Sequence, residues 1–152
     1  MLYLLALFIG IVSGLRAMTA PAAISWVAWL GLLDLSGSWL SFLASPWAVG
    51  ILSVLALAEL VTDQLPSTPS RKVPPQFGAR IVMGAVCGAA IGLPSGFWTA
   101  GLVLGIAGAV VGTLGGAAVR QRLAERFGRD RPAGLIEDAV AILAAAAIVW
   151  SL

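Results

Sequence analysis

The sequence contains no histidine and a single cysteine, Cys87. The first absence removes the commonest general base and the commonest transition-metal ligand. The second excludes a disulfide within the chain. Cys87 sits in an Ala/Gly-rich apolar run and reads as a small packing residue rather than a redox thiol. Charge is also scarce. Only 11% of residues are Asp, Glu, Lys or Arg, where a soluble globular chain carries about a quarter. The chain lacks a phosphate-binding glycine loop, a nucleophile elbow, a histidine-based triad and the usual metal-ligand clusters. An aspartate-rich phosphotransferase site is missing too. The expectation is a protein that is not an enzyme, without cofactor or metal, and with no nucleic-acid partner.

What is present is apolar. The hydrophobic fraction is 60% over 152 residues, and the mean hydropathy is +1.00. A chain of this size and composition cannot hide its side chains in a water-soluble core, so lipid is the expected solvent. The reading is a single integral membrane domain over residues 1–152, all-α, built as a compact bundle of about six short transmembrane helices.

The breaks between apolar runs set the expected helices. Residues 1–33 are too long for one span of about 20 residues, and Gly14, Arg16, Thr19 and Pro21 interrupt them. Two short helices over 1–17 and 20–33 are expected, with Thr19 as the N-cap of the second. The alternative is five spanning helices plus a re-entrant half-helix, tolerable only where the irregular backbone is buried in protein or meets water. No positive charge precedes the first apolar run, which marks it as an uncleaved membrane helix rather than a signal peptide. The tract from Asp34 to Ser45 reads as an interfacial connection, with Trp26, Trp29, Trp39 and Trp47 near the headgroups. A third helix runs from Pro46 to about Asp63. The tract from Glu59 to Arg80 then holds Pro66, Pro69, Pro74 and Pro75, which forbid a continuous helix. Further helices are expected over 77–93, 97–119 and 133–152, with a tight turn at Leu93 to Gly96 and a basic connection from Arg120 to Pro132.

All nine basic residues fall in alternate connections. By the positive-inside rule those connections face the cytoplasm of a multi-pass inner-membrane protein, and both termini lie outside. The Arg120 to Arg131 run reads as a topology determinant and a contact for anionic lipid. Within it Glu125 and Arg129 are spaced as a helical pair.

Glycines recur at helical spacing: Gly84 and Gly88, then Gly101, Gly105, Gly108 and Gly112. Such stripes let helix backbones approach closely, a glycine-zipper packing face that serves either the chain itself or a homo-oligomer.

Ionisable residues beside apolar runs are the candidates for function. Glu59 and Asp63, four apart, project from one helix face and oppose the macrodipole at its C-terminus. A cation, a proton or an arginine is the expected partner. Glu137 and Asp138 lie well inside the last helix, beyond Asp130 as a cap, and Arg16 and Arg80 are the natural counter-ions. Together Glu59, Asp63, Glu137, Asp138, Arg16 and Arg80 are the expected substrate- or ion-binding cluster. The competing reading is a purely structural ion-pair network. Ser67, Thr68, Ser70, Arg71 and Lys72 form a hydroxyl-and-cation group suited to a phosphate or a lipid headgroup, or simply to an ordinary loop.

The motifs GLRAMTAP (Gly14 to Pro21), ELVTDQLPSTPSR (Glu59 to Arg71), RIVMGAVCG (Arg80 to Gly88) and EDAVAI (Glu137 to Ile142) resemble a bacterial membrane-protein family catalogued only as domain of unknown function 4126. The likeness spans nearly the whole chain. Its motif positions fall on Arg16, Pro21, Glu59, Asp63, Pro66, Arg71, Arg80, Glu137 and Asp138. It implies a small integral membrane protein and assigns these residues no role. The leading functional expectation is a transporter or channel for a small solute or ion. The alternative is a non-catalytic scaffold or lipid-binding protein that assembles through its glycine-rich helices.

Overall fold

The computed structural model describes residues 1–65 and 70–152. Six α-helices follow one another: α1 (Leu2–Leu15), α2 (Thr19–Trp29), α3 (Pro46–Thr62), α4 (Pro74–Gly92), α5 (Trp98–Phe127) and α6 (Asp130–Trp150). There is no strand among the described residues, and the all-helical expectation holds. α4, α5 and α6 are long and apolar enough to cross a membrane. α1 and α3 are shorter apolar helices. α2 has 11 residues, roughly 16 Å by the helical rise and half of a hydrocarbon core. It is therefore a half-helix, and the buried side chains of Leu33, Leu35, Leu40 and Leu43 in the following connection complete the packing above it.

Glycine decides how the bundle closes. α1 lies parallel to α5, with Gly10 against Gly105 and Gly14 against the Ala109–Thr113 turn. α4 lies antiparallel to α5, pairing Gly84 with Gly105 and Gly88 with Gly101. Gly108 and Gly112 meet the backbone of Leu7 and Ile11. A methyl at any of these positions would overlap backbone atoms of the facing helix. The stripe is thus consumed inside the chain, where dispersion across close backbones replaces the hydrophobic force that lipid cannot supply. Gly115, next on the stripe, faces nothing within 4 Å.

The two ends of the bundle differ. At one end Tyr3 packs on Phe97 and Trp39 packs edge-on against Trp98. Asp34 lies toward this end in an exposed turn, where the Ser36 hydroxyl and amide hold its carboxyl below the usual range. The other end gathers the C-termini of α1, α3 and α5 with the N-termini of α2, α4 and α6.

Several boundaries differ from the sequence reading. α5 continues past Val119 to Phe127 because neither Gly nor Pro interrupts Arg120 to Phe127, and Gln121 donates to Glu125 one turn on. Gly128, at φ +66°, stops it in the left-handed conformation that favours glycine. Glu125 and Arg129 therefore do not share a helix, and they form no ion pair. Pro74 and Pro75 open α4 rather than lying in the loop, since proline suits the first helical turn. The N-cap of α6 is Arg129, not Asp130, and that of α2 is Met18, not Thr19.

Candidate functional site

At the charged end four guanidinium groups meet five carboxylates. Arg16, which begins the break between α1 and α2, is 0% exposed. Its Nη2 donates to Asp138 Oδ1 on α6, and its Nη1 lies 2.5 Å from Asp63 Oδ2 just beyond α3. That second contact is an ion pair without hydrogen-bond alignment, and Arg16 Nε has no hydrogen-bond partner among the described residues. Asp63 Oδ2 is a hub: Arg120 donates to it and Arg71 sits 4.0 Å away. Gln64 Nε2 donates to the other side of Asp138, at 3.0 Å to Oδ2.

Glu137, one residue before Asp138, takes a two-pronged contact from Arg71, with Nη2 to Oε2 at 2.7 Å. Arg120 approaches the same Oε2 at 3.4 Å and grips Asp130 through Nε and Nη2 at 2.9 and 2.6 Å. Glycine makes room for these side chains. A Cβ at Gly116 would meet Glu137 and Arg71, and one at Gly134 would meet Gln64 and Arg120.

The remaining pair repairs the broken helix. An interrupted helix leaves unmatched carbonyls at its end and unmatched amides at the next start, a severe cost where water is excluded. Arg80 on α4, 2% exposed, donates from Nη1 to the carbonyls of Gly14 (3.0 Å) and Leu15 (2.6 Å) at the end of α1. Thr113 adds its hydroxyl to Gly14 O at 3.2 Å, and Ser13 donates to the Arg80 carbonyl at 2.9 Å. On the other side of the break, Glu59 accepts from the amides of Ala17 and Met18, each at 2.9 Å. Its Oε1 lies 3.7 Å from Arg80 Nη2.

The expected cluster of Glu59, Asp63, Glu137, Asp138, Arg16 and Arg80 is thus brought together, with Arg16 and Arg80 as counter-ions of Asp63, Asp138 and Glu59. Glu137 pairs with Arg71 and Arg120, not with Arg16 or Arg80. Arg71, expected among the headgroup ligands, is buried, with Nη1 and Nη2 both donating to Glu137. Ser70 and Lys72 remain exposed, while Ser67 and Thr68 lie outside the described residues. Arg120 and Gln64 were missed. Arg120 is the first base after an apolar run and Gln64 follows Asp63 directly, the only traces either left in the sequence.

A second feature adjoins the network. α1, α5 and α6 bound a groove of about 310 Å³ whose walls are Ile11, Leu15, Val111, Val119, Leu123, Ile136 and Val140. Gly112, Gly115 and Gly116 form part of it, and Arg120 and Glu137 mark its charged end. Arg126, one turn beyond Leu123 on α5, and Arg129 are exposed. Neither forms an ion pair among the described residues.

The family model described as Domain of unknown function (DUF4126) matches residues 3–150, and the chain belongs to that family. No curated protein and no solved structure matches it.

Proposed function

We propose that this family member is a non-catalytic, lipid-binding membrane scaffold. The groove between α1, α5 and α6 takes an acyl chain, and Arg126 and Arg129 receive an anionic headgroup. The observation that carries this reading is the open glycine floor at Gly115, walled by aliphatic side chains as far as Leu123, one turn before the exposed Arg126 on α5. Apolar walls suit a chain of methylenes, at about 0.8 kcal/mol for each one buried. Exposed arginines suit a phosphodiester. The acid and arginine cluster supports this order of preference, since each of its carboxylates already faces a guanidinium.

Anionic lipid retention tests it. The protein is released from nanodiscs of mixed phosphatidylglycerol and phosphatidylcholine, and bound lipid is counted by native mass spectrometry. Phosphatidylglycerol is expected to be retained by the wild type and lost when Gly115→Leu fills the groove or Arg126→Glu reverses the headgroup charge. Equal retention by all three proteins would overturn the reading.

Transport of a small solute or ion is the second reading. It is favoured by the half-helix α2, because transporter sites are commonly built at broken helices. In that case Glu59→Gln or Glu137→Gln abolishes flux in proteoliposomes while the protein stays folded. The glycine faces of α4 and α5 are occupied within the chain, so a homo-oligomer would use an outer face. α3 is the first candidate, since Val49 is its one buried residue.

A further inference from the structure

We propose that the turn between α1 and α2 is a binding site for a phosphate-class oxyanion, and that Glu59 occupies it here as an internal stand-in. Two backbone amides, Ala17 and Met18, converge on one carboxylate at 2.9 Å each, one to each oxygen. They precede an 11-residue helix, whose dipole favours an anion at that position. This is how half-helices receive anionic groups in transporters.

Glu59 leaves donors at the same turn unused. The Arg80 guanidinium faces Glu59, but its Nη2 stops 3.7 Å short, beyond hydrogen-bonding distance. Arg80 Nε and Thr19 Oγ1 are both buried with no hydrogen-bond partner among the described residues. Arg80 is 2% exposed and Thr19 9%. Buried donors without partners are costly and uncommon. A planar carboxylate has two oxygens, and the two amides use both. A tetrahedral oxyanion carries more, enough to reach the amides together with the guanidinium and the hydroxyl. The charge balance also fits. Removing Glu59 from the turn leaves Arg80 without its counter-ion, and an incoming anion restores it.

Glu59 is held in place by a light element. α3 buries only Val49 and packs chiefly on α2 and the Ser41–Ala44 turn. Asp63, one turn on, stays in the arginine network, so exchange at the site moves the Glu59 side chain rather than the helix. The site is independent of the lipid groove, which α1, α5 and α6 line without any of these donors.

The test uses the full chain in a maltoside detergent free of phosphate, with Glu59→Ala to vacate the turn and Glu59→Gln to weaken the stand-in at constant size. Inorganic phosphate is titrated while thermal unfolding and the ³¹P line width are followed. Glu59→Ala is expected to bind phosphate at least about tenfold more tightly than the wild type, whose tethered carboxylate competes at high effective concentration. The double variant Glu59→Ala/Arg80→Met is expected to lose that gain. A second arm replaces phosphate with a short-chain phosphatidate. Binding of phosphatidate alone assigns the site to a lipid headgroup, and binding of both assigns it to a free anion. If neither binds, or if phosphate binds equally well without Arg80, the proposal is wrong. If both Glu59 variants fail to fold even in phosphate, it is also wrong, because the ligand should replace the missing carboxylate.

Discussion

Arg16 and Asp138, 122 residues apart in the chain, meet through the Arg16 Nη2 donor in the interior of the charged end. Arg16 also lies 2.5 Å from Asp63, so one guanidinium ties the α1–α2 break to both α3 and α6. Its complete burial follows from its place in the break, where the chain turns back on itself among six helix ends.

Replacing Arg16 by Gln should therefore leave the buried Asp138 carboxylate without a cation and take one of its cations from Asp63. Breaking a buried pair from one side costs about 3–5 kcal/mol. Thermal unfolding in detergent should show a large loss of stability, partly restored in Arg16→Gln/Asp138→Asn. An unaffected melting temperature would mean that the network contributes nothing to the fold.

Two glycines on the same stripe should respond in opposite ways. A methyl at Gly105 would overlap the carbonyl of Gly84 and the backbone of Gly88, whereas one at Gly115 meets nothing within 4 Å. Gly105→Ala should cost about 1–3 kcal/mol through overpacking. Gly115→Ala should be neutral or gain up to about 1 kcal/mol from helix propensity. Comparison of the two melting temperatures checks this, and equal losses would contradict the packing described.

Arg120→Lys should not be a silent change. The planar fork of Arg120 serves Asp63, Asp130 and Glu137 at once, and a lysine point charge cannot hold the same set. Losing the charged hydrogen bonds should cost about 1.5–3 kcal/mol. A Lys variant as stable as the wild type would show that only the charge matters.

The orientation of the bundle is open to chemical labelling. Cys87 is buried and can be replaced by Ala to give a background without cysteine. In it, Lys72→Cys and Arg126→Cys should react with a membrane-impermeant maleimide only from the cytoplasmic side, and Ser38→Cys only from the other. That outcome follows if the basic end obeys the positive-inside rule. The reverse pattern, or labelling of both ends from one side, would contradict it.

How much of this was legible beforehand depends on the residue. Arg16, Glu59, Asp63, Arg80, Glu137 and Asp138 were conspicuous because charge beside apolar runs is expensive and needs a reason. Their grouping at one end followed from the alternation of basic connections. Arg120 was hidden in a run of five arginines, all equally suited to an ordinary basic loop. Only the continuation of α5 past Val119 turned it toward Asp63 and Glu137. Arg71 was misread for a similar reason, because a loop sequence does not reveal which of its cations folds inward.

The sequence by itself determined the solvent, the helix class, the breaks at Gly14–Pro21 and at the prolines, and the set of charged residues that had to be neutralised. Composition and periodicity act locally, so they can be read without knowing the fold. Tertiary structure alone decided which acid met which arginine and which glycines became contacts rather than a groove. It also decided that Glu59 would cap a helix forty residues away. Those outcomes depend on how helices far apart in sequence are aligned, and close packing of backbones fixes that alignment only once the whole bundle has formed.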